Sequence, residues 1–298
     1  MAERFYLILG GRGLLSVNGD DRSTFLQGLI SNDITKVAAD RAIYASLLTA
    51  QGRFLHDFFI AEHGGGYIVD AEGARLDDLR RRLMLYRLRS KVTIAPLAGL
   101  VVVAAFGDGA LSALGLGDDP GRATAVAGGL AFVDPRLAGL GARLILPQER
   151  LEALPAAGFQ AGERADYDRL RLSLGVPDGS RDLPVEKALL LENGFDELNG
   201  VDWKKGCYVG QEVTARMKYR ALVRKRLLPV RIEGTPPEPG APVVLDGEEA
   251  GEMRSAAAGW GLALLRLEVV EKAEREGRPL SAGSASVTPL KPPWWAAA

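Results

Sequence analysis

Residues 201–220 read VDWKKGCYVGQEVTARMKYR, and the rest of the chain is best read outward from them. Cys207 is the only cysteine in 298 residues. It stands between Gly206 and Gly210, which permit tight turns and close approach by a ligand, and Tyr208 follows it. Lys204, Lys205, Arg216 and Lys218 are near in sequence, and positive charge raises the thiolate fraction of a thiol. A lone cysteine also suits a small buried apolar slot. The glycines and charges around Cys207 favour an accessible, reactive thiol instead.

One thiol cannot close an internal disulfide, and a lone cysteine is unusual in a secreted chain, so a reducing compartment is expected. The first residues, MAERFYLILGG, hold a short apolar run over 5–9 with no h-region or cleavage signal. No apolar stretch approaches the roughly 18 residues of a membrane span. A cytoplasmic protein with no membrane partner is therefore predicted. Formal net charge is −1, so no global field recruits nucleic acid, and no direct nucleic-acid binding is expected. An anionic ligand must be held by a local basic site. The length suggests two domains or three small ones, and 47% hydrophobic with 25% charged residues is a globular composition.

Hydrophobic periodicity sets out the elements. A strand is expected at 14–17. DDRSTFLQGLISNDI (20–34) then offers Asp20, Asp21 or Ser23 as a cap before Phe25, Leu26, Leu29 and Ile30 at helical spacing. AIYASLLT (42–49), RFLHDFFIAE (53–62) and YIVDA (67–71) read as a small antiparallel sheet with turns at 50–52 and 64–66. ARLDDLRRRLMLYRLRSKV (74–92) repeats Leu76, Leu79, Leu83 and Tyr86, the stripe of a helix with a basic outer face. The Ala- and Gly-rich stretch 100–159 reads as a second α/β unit, with strands at 100–106, 130–134 and 142–147 and a helix at 110–116. YDRLRLSLG (167–175) is helix-like. After the Pro-rich break EGTPPEPGAP (233–242), PVVLD and EEAGEMR flank Asp246 and Gly247, a strong hairpin signal. With GWGLALLRL (259–267), the C-terminal part reads as a compact all-β module.

Several chemistries are disfavoured. No GxGxxG opens a βαβ unit and no GxxxxGK[ST] is present, so neither a dinucleotide fold nor a P-loop is supported. His56, His63 and one cysteine are too few for a zinc site, and no metal site is expected. Cys207 could hold an iron–sulfur cluster only by sharing ligands with another chain or a small thiol. His56 is a candidate partner for a Cys–His dyad, but in RFLHDFFI it reads as a packed strand residue. His63, before three glycines, reads as a solvated loop residue.

KGCYVGQE (205–212) resembles the signature of the YgfZ family, relatives of the glycine-cleavage T protein. LLSVNGDDRSTFLQGLISNDI (14–34) resembles the amino-terminal segment shared with T proteins, and RLRLSLGVPDG (169–179) their Gly-x-Pro segment before the folate pocket. EEAGEMRSAAAGWGLALLRL (248–267) resembles their carboxy-terminal barrel, while 100–162 carries no landmark. The resemblance implies an α+β fold of T-protein-like architecture: α/β subdomains around a central cavity that binds tetrahydrofolate or a derivative, plus a small C-terminal β-barrel. The expected divisions are α/β subdomains at 1–99 and 100–165, a folate- and cysteine-motif segment at 166–226 completing the N-terminal region, and the barrel at 227–298.

Carried over residue by residue, the resemblance makes Cys207 the working residue. It puts Tyr167 where relatives hold an aromatic ring against the folate, a place where a phenol could stack on the pterin. Glu186, in LPVEKALLLENG, matches the glutamate that accepts the pterin's N–H donors. Arg216, Lys218, Arg224 and Arg226 are candidates for the anionic glutamyl tail, beside Lys205, Tyr208 and Gln211 in the motif. Gln211 and Glu212 are equally suited to bracing the cysteine loop. GGRG (10–13) stands where some relatives carry a tryptophan. The T protein's catalytic aspartate is matched only loosely, by Asp77 or Asp78, which read better as first-turn helix charges.

The implied role is a folate-dependent accessory factor for assembly or repair of iron–sulfur proteins, including enzymes that thiolate tRNA, with Cys207 exchanging with a sulfur, thiol or one-carbon species. One alternative is a tetrahydrofolate-dependent aminomethyltransferase or demethylase, sensitive to Asp77 or Asp78 and indifferent to Cys207. Another is a non-catalytic folate-binding scaffold.

Overall fold

The computed structural model describes residues 3–295. The chain divides into two compact units: Met1–Ala50, Leu55–Glu163 and Leu198–Gln211 form the first, and Gln51–Phe54, Arg164–Glu197 and Glu212–Ala298 the second.

The first unit runs β1 (Arg4–Ile8), β2 (Arg12–Asn18), α1 (Arg22–Gln27), β3 (Ile43–Leu48), β4 (Phe54–His63), β5 (Gly66–Glu72), α2 (Leu76–Arg87), β6 (Thr93–Pro96), β7 (Leu100–Gly107), α3 (Ala110–Ala113), β8 (Ala123–Val126), β9 (Gly129–Val133), β10 (Ala142–Pro147), α4 (Ala153–Ala156) and β11 (Gln160–Ala161). Two sheets result, ordered β11-β1-β7-β10-β9-β8 and β3-β4-β5-β2-β6. The apolar run over 5–9 is largely β1, antiparallel to β7 and parallel to β11.

Every residue of β4 from Phe54 to Ala61 is buried. A strand covered on both faces loses the usual polar alternation, so its polar side chains need partners. His56 meets Asp78 of α2 at 2.9 Å, and Asp57 accepts a hydrogen bond from the Tyr44 hydroxyl at 2.9 Å. Between the two sheets, Asp70 of β5 receives Arg12 Nε and Arg143 Nη2, each at 2.6 Å. The Arg143 guanidinium lies 3.9 Å over the ring of Phe59, whose centroid is 6.4 Å from that of Phe132. Burial alone would raise the Asp70 carboxyl; the two guanidiniums hold it below the usual carboxylate range.

α2 departs from its expected stripe. Leu79 and Leu83 are buried, but Tyr86 is 44% and Leu85 73% exposed. The apolar stripe therefore runs partly into solvent at its last turn.

The second unit contains α5 (Arg164–Ser173), α6 (Gln211–Tyr219), β12 (Lys225–Glu233), β13 (Pro242–Leu245), β14 (Glu248–Ala257), β15 (Trp260–Arg266), α7 (Leu267–Glu276), β16 (Leu280–Ala282) and β17 (Ala285–Pro289). The strands close into a barrel in the order β12-β15-β14-β13-β16-β17. Asp246 and Gly247 both take positive φ, 51° and 86°, as a tight two-residue hairpin of type I′ requires. The C-terminal part is not all-β as expected. α7 packs Val269, Val270 and Ala273 into the barrel core. Its start was hidden because the apolar run of β15 continues into LEVV without a turn signal. In α5, Arg171 is buried and donates to Asp168 at 2.6 Å, Asp182 at 2.7 Å and Ser255 of β14 at 2.9 Å, clasping the helix to the barrel.

Candidate functional site

The loop that carries Cys207 belongs to the first unit, although the residues on either side of it in sequence belong to the second. A cradle in residues 27–46 holds it. Ser31 Oγ donates to the Gly200 carbonyl at 2.6 Å and accepts from the Ser46 amide at 2.8 Å. Asn32 Nδ2 donates to the carbonyls of Tyr44 and Asn199, both at 2.8 Å. These bonds bring residues 199–202 against β3. Asp202 then turns the chain by accepting from the amides of Lys204 at 2.6 Å and Lys205 at 2.9 Å, and it pairs with the Lys36 ammonium. Burial opposes the Asp202 charge, while Lys36 and those amides hold its carboxyl below the usual range.

Lys205 points inward. Its ammonium donates to the carbonyls of Gln27, the last residue of α1, at 2.7 Å, and of Ile30 at 2.5 Å and Asn32 at 3.0 Å in the segment that follows, using its three hydrogens. It also lies 4.9 Å from the centroid of the Tyr208 ring. Burial lowers the ammonium's pKa to about 8, with Asp33 and Asp202 drawing it back up, so it stays charged at neutral pH. Downstream, the Tyr208 amide donates to Gln211 Oε1 at 3.2 Å, and the Val209 amide to the Gly28 carbonyl at 3.1 Å. Cys207 is thus anchored on both sides while its own side chain is exposed.

The sequence-derived folate residues outside this loop lie in the second unit. Tyr167 is in α5 and only 5% exposed. Glu186 is exposed, with φ 62° and its amide bonded to the Phe54 carbonyl at 2.8 Å. A left-handed glutamate is uncommon and such residues concentrate at functional positions. Arg216 is exposed on α6, Lys218 pairs with Asp196 at 2.5 Å, and Arg226 pairs with Glu197 at 2.6 Å. In the first unit, the Asp78 carboxylate is taken up by His56, by Arg81 at 2.5 Å and by Arg82 at 2.7 Å. Asp77 stands exposed in the first turn of α2. The contribution of Ser31 and Asn32 escaped sequence reading. Their only signal was a polar SND triplet closing an apolar helix.

This architecture defines a class before any family. The fold matches the crystal structure of glycine cleavage system aminomethyltransferase T from Bartonella henselae, with TM-score 0.78 over 99% of this chain and 87% of that one. Identity there is 15%, so that likeness concerns the fold: α/β subdomains with a closed six-stranded C-terminal barrel. Residues 224–297 match the family described as CAF17, C-terminal beta-barrel domain. The chain belongs to the family of the iron-sulfur cluster assembly factor IBA57. It is 36% identical over 305 residues to the mitochondrial IBA57 of Homo sapiens, covering 96% of this chain and 84% of that protein. The Mus musculus protein is 35% identical with the same coverages, and the Pyricularia oryzae homolog 31% identical over 93% and 75%.

These relatives overturn the cytoplasmic expectation, since each is named as a mitochondrial protein. A single free thiol does not distinguish one reducing compartment from another. Among the described residues, no helix is long and apolar enough to cross a membrane.

Proposed function

We propose that the chain is an accessory factor in iron–sulfur cluster assembly that works through Cys207 and binds a folate. The observation that carries this reading is the exposed thiol on a loop that Lys205, Ser31 and Asn32 hold in place, in a chain whose relatives are named iron–sulfur cluster assembly factors. Among the described residues no three His, Cys, Asp or Glu side chains gather as a metal-binding group. A cluster would then be cargo, with Cys207 as one sulfur donor and the remaining ligands supplied by a client protein or a small thiol. YgfZ proteins would be the bacterial counterparts, with tRNA-thiolating enzymes among the clients.

Folate binding is proposed from the aminomethyltransferase-like fold together with Tyr167, Glu186, Arg216 and Arg226. The exposed left-handed Glu186 supports a ligand-facing carboxylate. Lys205 positions the cysteine loop, its ammonium already bonded to three carbonyls. An aminomethyl-transfer reading is disfavoured by Asp78, whose carboxylate is occupied by His56, Arg81 and Arg82.

The test is complementation of a strain lacking this gene, with iron–sulfur enzyme activity as readout. Cys207→Ala is expected to fail, and full rescue by it overturns the role of the thiol. Folate binding is followed separately by tryptophan fluorescence titration with tetrahydrofolate. Binding unaffected by the Tyr167→Ala, Glu186→Ala double variant counts against this pocket.

A further inference from the structure

We infer that residues 85–91 form a hook on which a partner protein docks through an apolar pocket ringed by carboxylates. Leu88 follows the last residue of α2 and takes φ 43°, ψ −110°, a conformation that is strained for any residue with a Cβ. Such strain persists only where the surroundings impose it. Here the Ser90 amide bonds to the Arg87 carbonyl at 2.8 Å, the Val92 amide to the Ser90 carbonyl at 2.9 Å, and the Lys91 amide to Asp21 Oδ2 at 2.7 Å. These bonds fix a turn in which Leu88 is 87% exposed, beside Leu85 at 73% and Tyr86 at 44% in the last turn of α2.

Charge identifies the partner. Arg87, Arg89 and Lys91 are exposed, and among the described residues no carboxylate pairs with any of them. The chain as a whole carries −1, so this patch is a local exception. A surface with an apolar centre and cationic rim is complementary to an acidic rim around an apolar pocket. Two copies of this chain meeting through the hook would oppose like charges. A membrane surface is a poorer match, because the exposed apolar side chains occupy only the last turn of α2 and the residue after it, not the length of an amphipathic helix.

The hook and the thiol share one support. Asp21, which holds Lys91, is the N-cap of α1, and Gly28, which holds Val209 of the cysteine loop, is its C-cap. At 1.5 Å per residue the two anchors lie about 10 Å apart. A standard interface of about 800 Å² per partner is roughly 30 Å across, so one footprint can include both. The proposal deepens the reading above by giving the client of Cys207 a place to bind.

The experiment places a photo-cross-linking phenylalanine at Tyr86 in the full chain, with the same residue at exposed Glu149 as control. A captured protein is identified, its cross-linked site mapped, and the purified protein titrated against variants. The expected result is a predominant capture specific to position 86, mapping to an acid-rimmed apolar pocket. Leu88→Ser and Arg87→Glu with Arg89→Glu should each weaken binding about tenfold or more, and added salt should weaken it further. Cys207→Ala should bind normally, so a failed thiol role and a failed dock give different results. The proposal is overturned by no capture above the control, by capture of a second copy, by unchanged affinity in the charge-reversed variant, or by hook-dependent sedimentation with phosphatidylcholine–cardiolipin vesicles.

Discussion

The Lys205 ammonium donates to the carbonyl of Gln27 at 2.7 Å, joining the cysteine motif to the last residue of α1 across 178 positions of sequence. A cation that seems poised beside a thiol is therefore a structural tie. Removing it should leave three half-buried carbonyls without their donor, at a cost of about 1–3 kcal/mol. Lys205→Met is expected to lower the urea midpoint and to speed hydrogen exchange at the Val209 amide. Unchanged exchange would show that the loop is held without it.

Cys207 itself carries no such burden. Its side chain is exposed, so Cys207→Ala should alter stability by less than about 0.5 kcal/mol while abolishing complementation. A large loss of thermal stability would mean that the residue is structural and that the functional assay cannot be read as thiol chemistry.

His56 makes stability depend on pH. Burial first, and then the Arg75 charge, lower its pKa from 6.5 to about 4, against the pull of Asp78. The folded state thus favours neutral imidazole. Its contribution is fully present above pH 6.5 and is lost as pH falls toward 4, by an amount on the order of 3 kcal/mol. Urea melts at neutral pH and near pH 5 should show the loss, and His56→Gln should flatten it. A nuclear magnetic resonance titration placing the His56 pKa near its ordinary value would refute this.

Asp70 bears on the same unit through a different mechanism. It is fully buried between Arg12 and Arg143, so Asp70→Asn leaves two guanidiniums without their counter-charge. The expected loss is about 3–5 kcal/mol, read from denaturant unfolding. Replacing Asp70, Arg12 and Arg143 together with apolar residues of similar volume should cost less than Asp70→Asn alone, and a larger cost would show that the triad contributes net stability.

Sequence by itself determined what local preference governs. The strand at Ala142–Pro147 follows from a short, nearly continuous apolar run, and the Asp246–Gly247 turn from the backbone freedom of its two residues. The same local reading found one cysteine set among glycines. Only the tertiary structure decided that Lys205 faces inward, that Ser31 and Asn32 receive the cysteine loop, and that the apolar stripe of α2 runs on into solvent at Tyr86. It also decided that the apolar run after β15 becomes a helix. The reason is physical: each of these outcomes depends on which groups lie opposite in space, and a partner 178 residues away leaves no trace in local periodicity. Adjacency to a cysteine in sequence does not fix where a lysine side chain points, and here the Lys205 ammonium is bonded to the carbonyls of Gln27, Ile30 and Asn32.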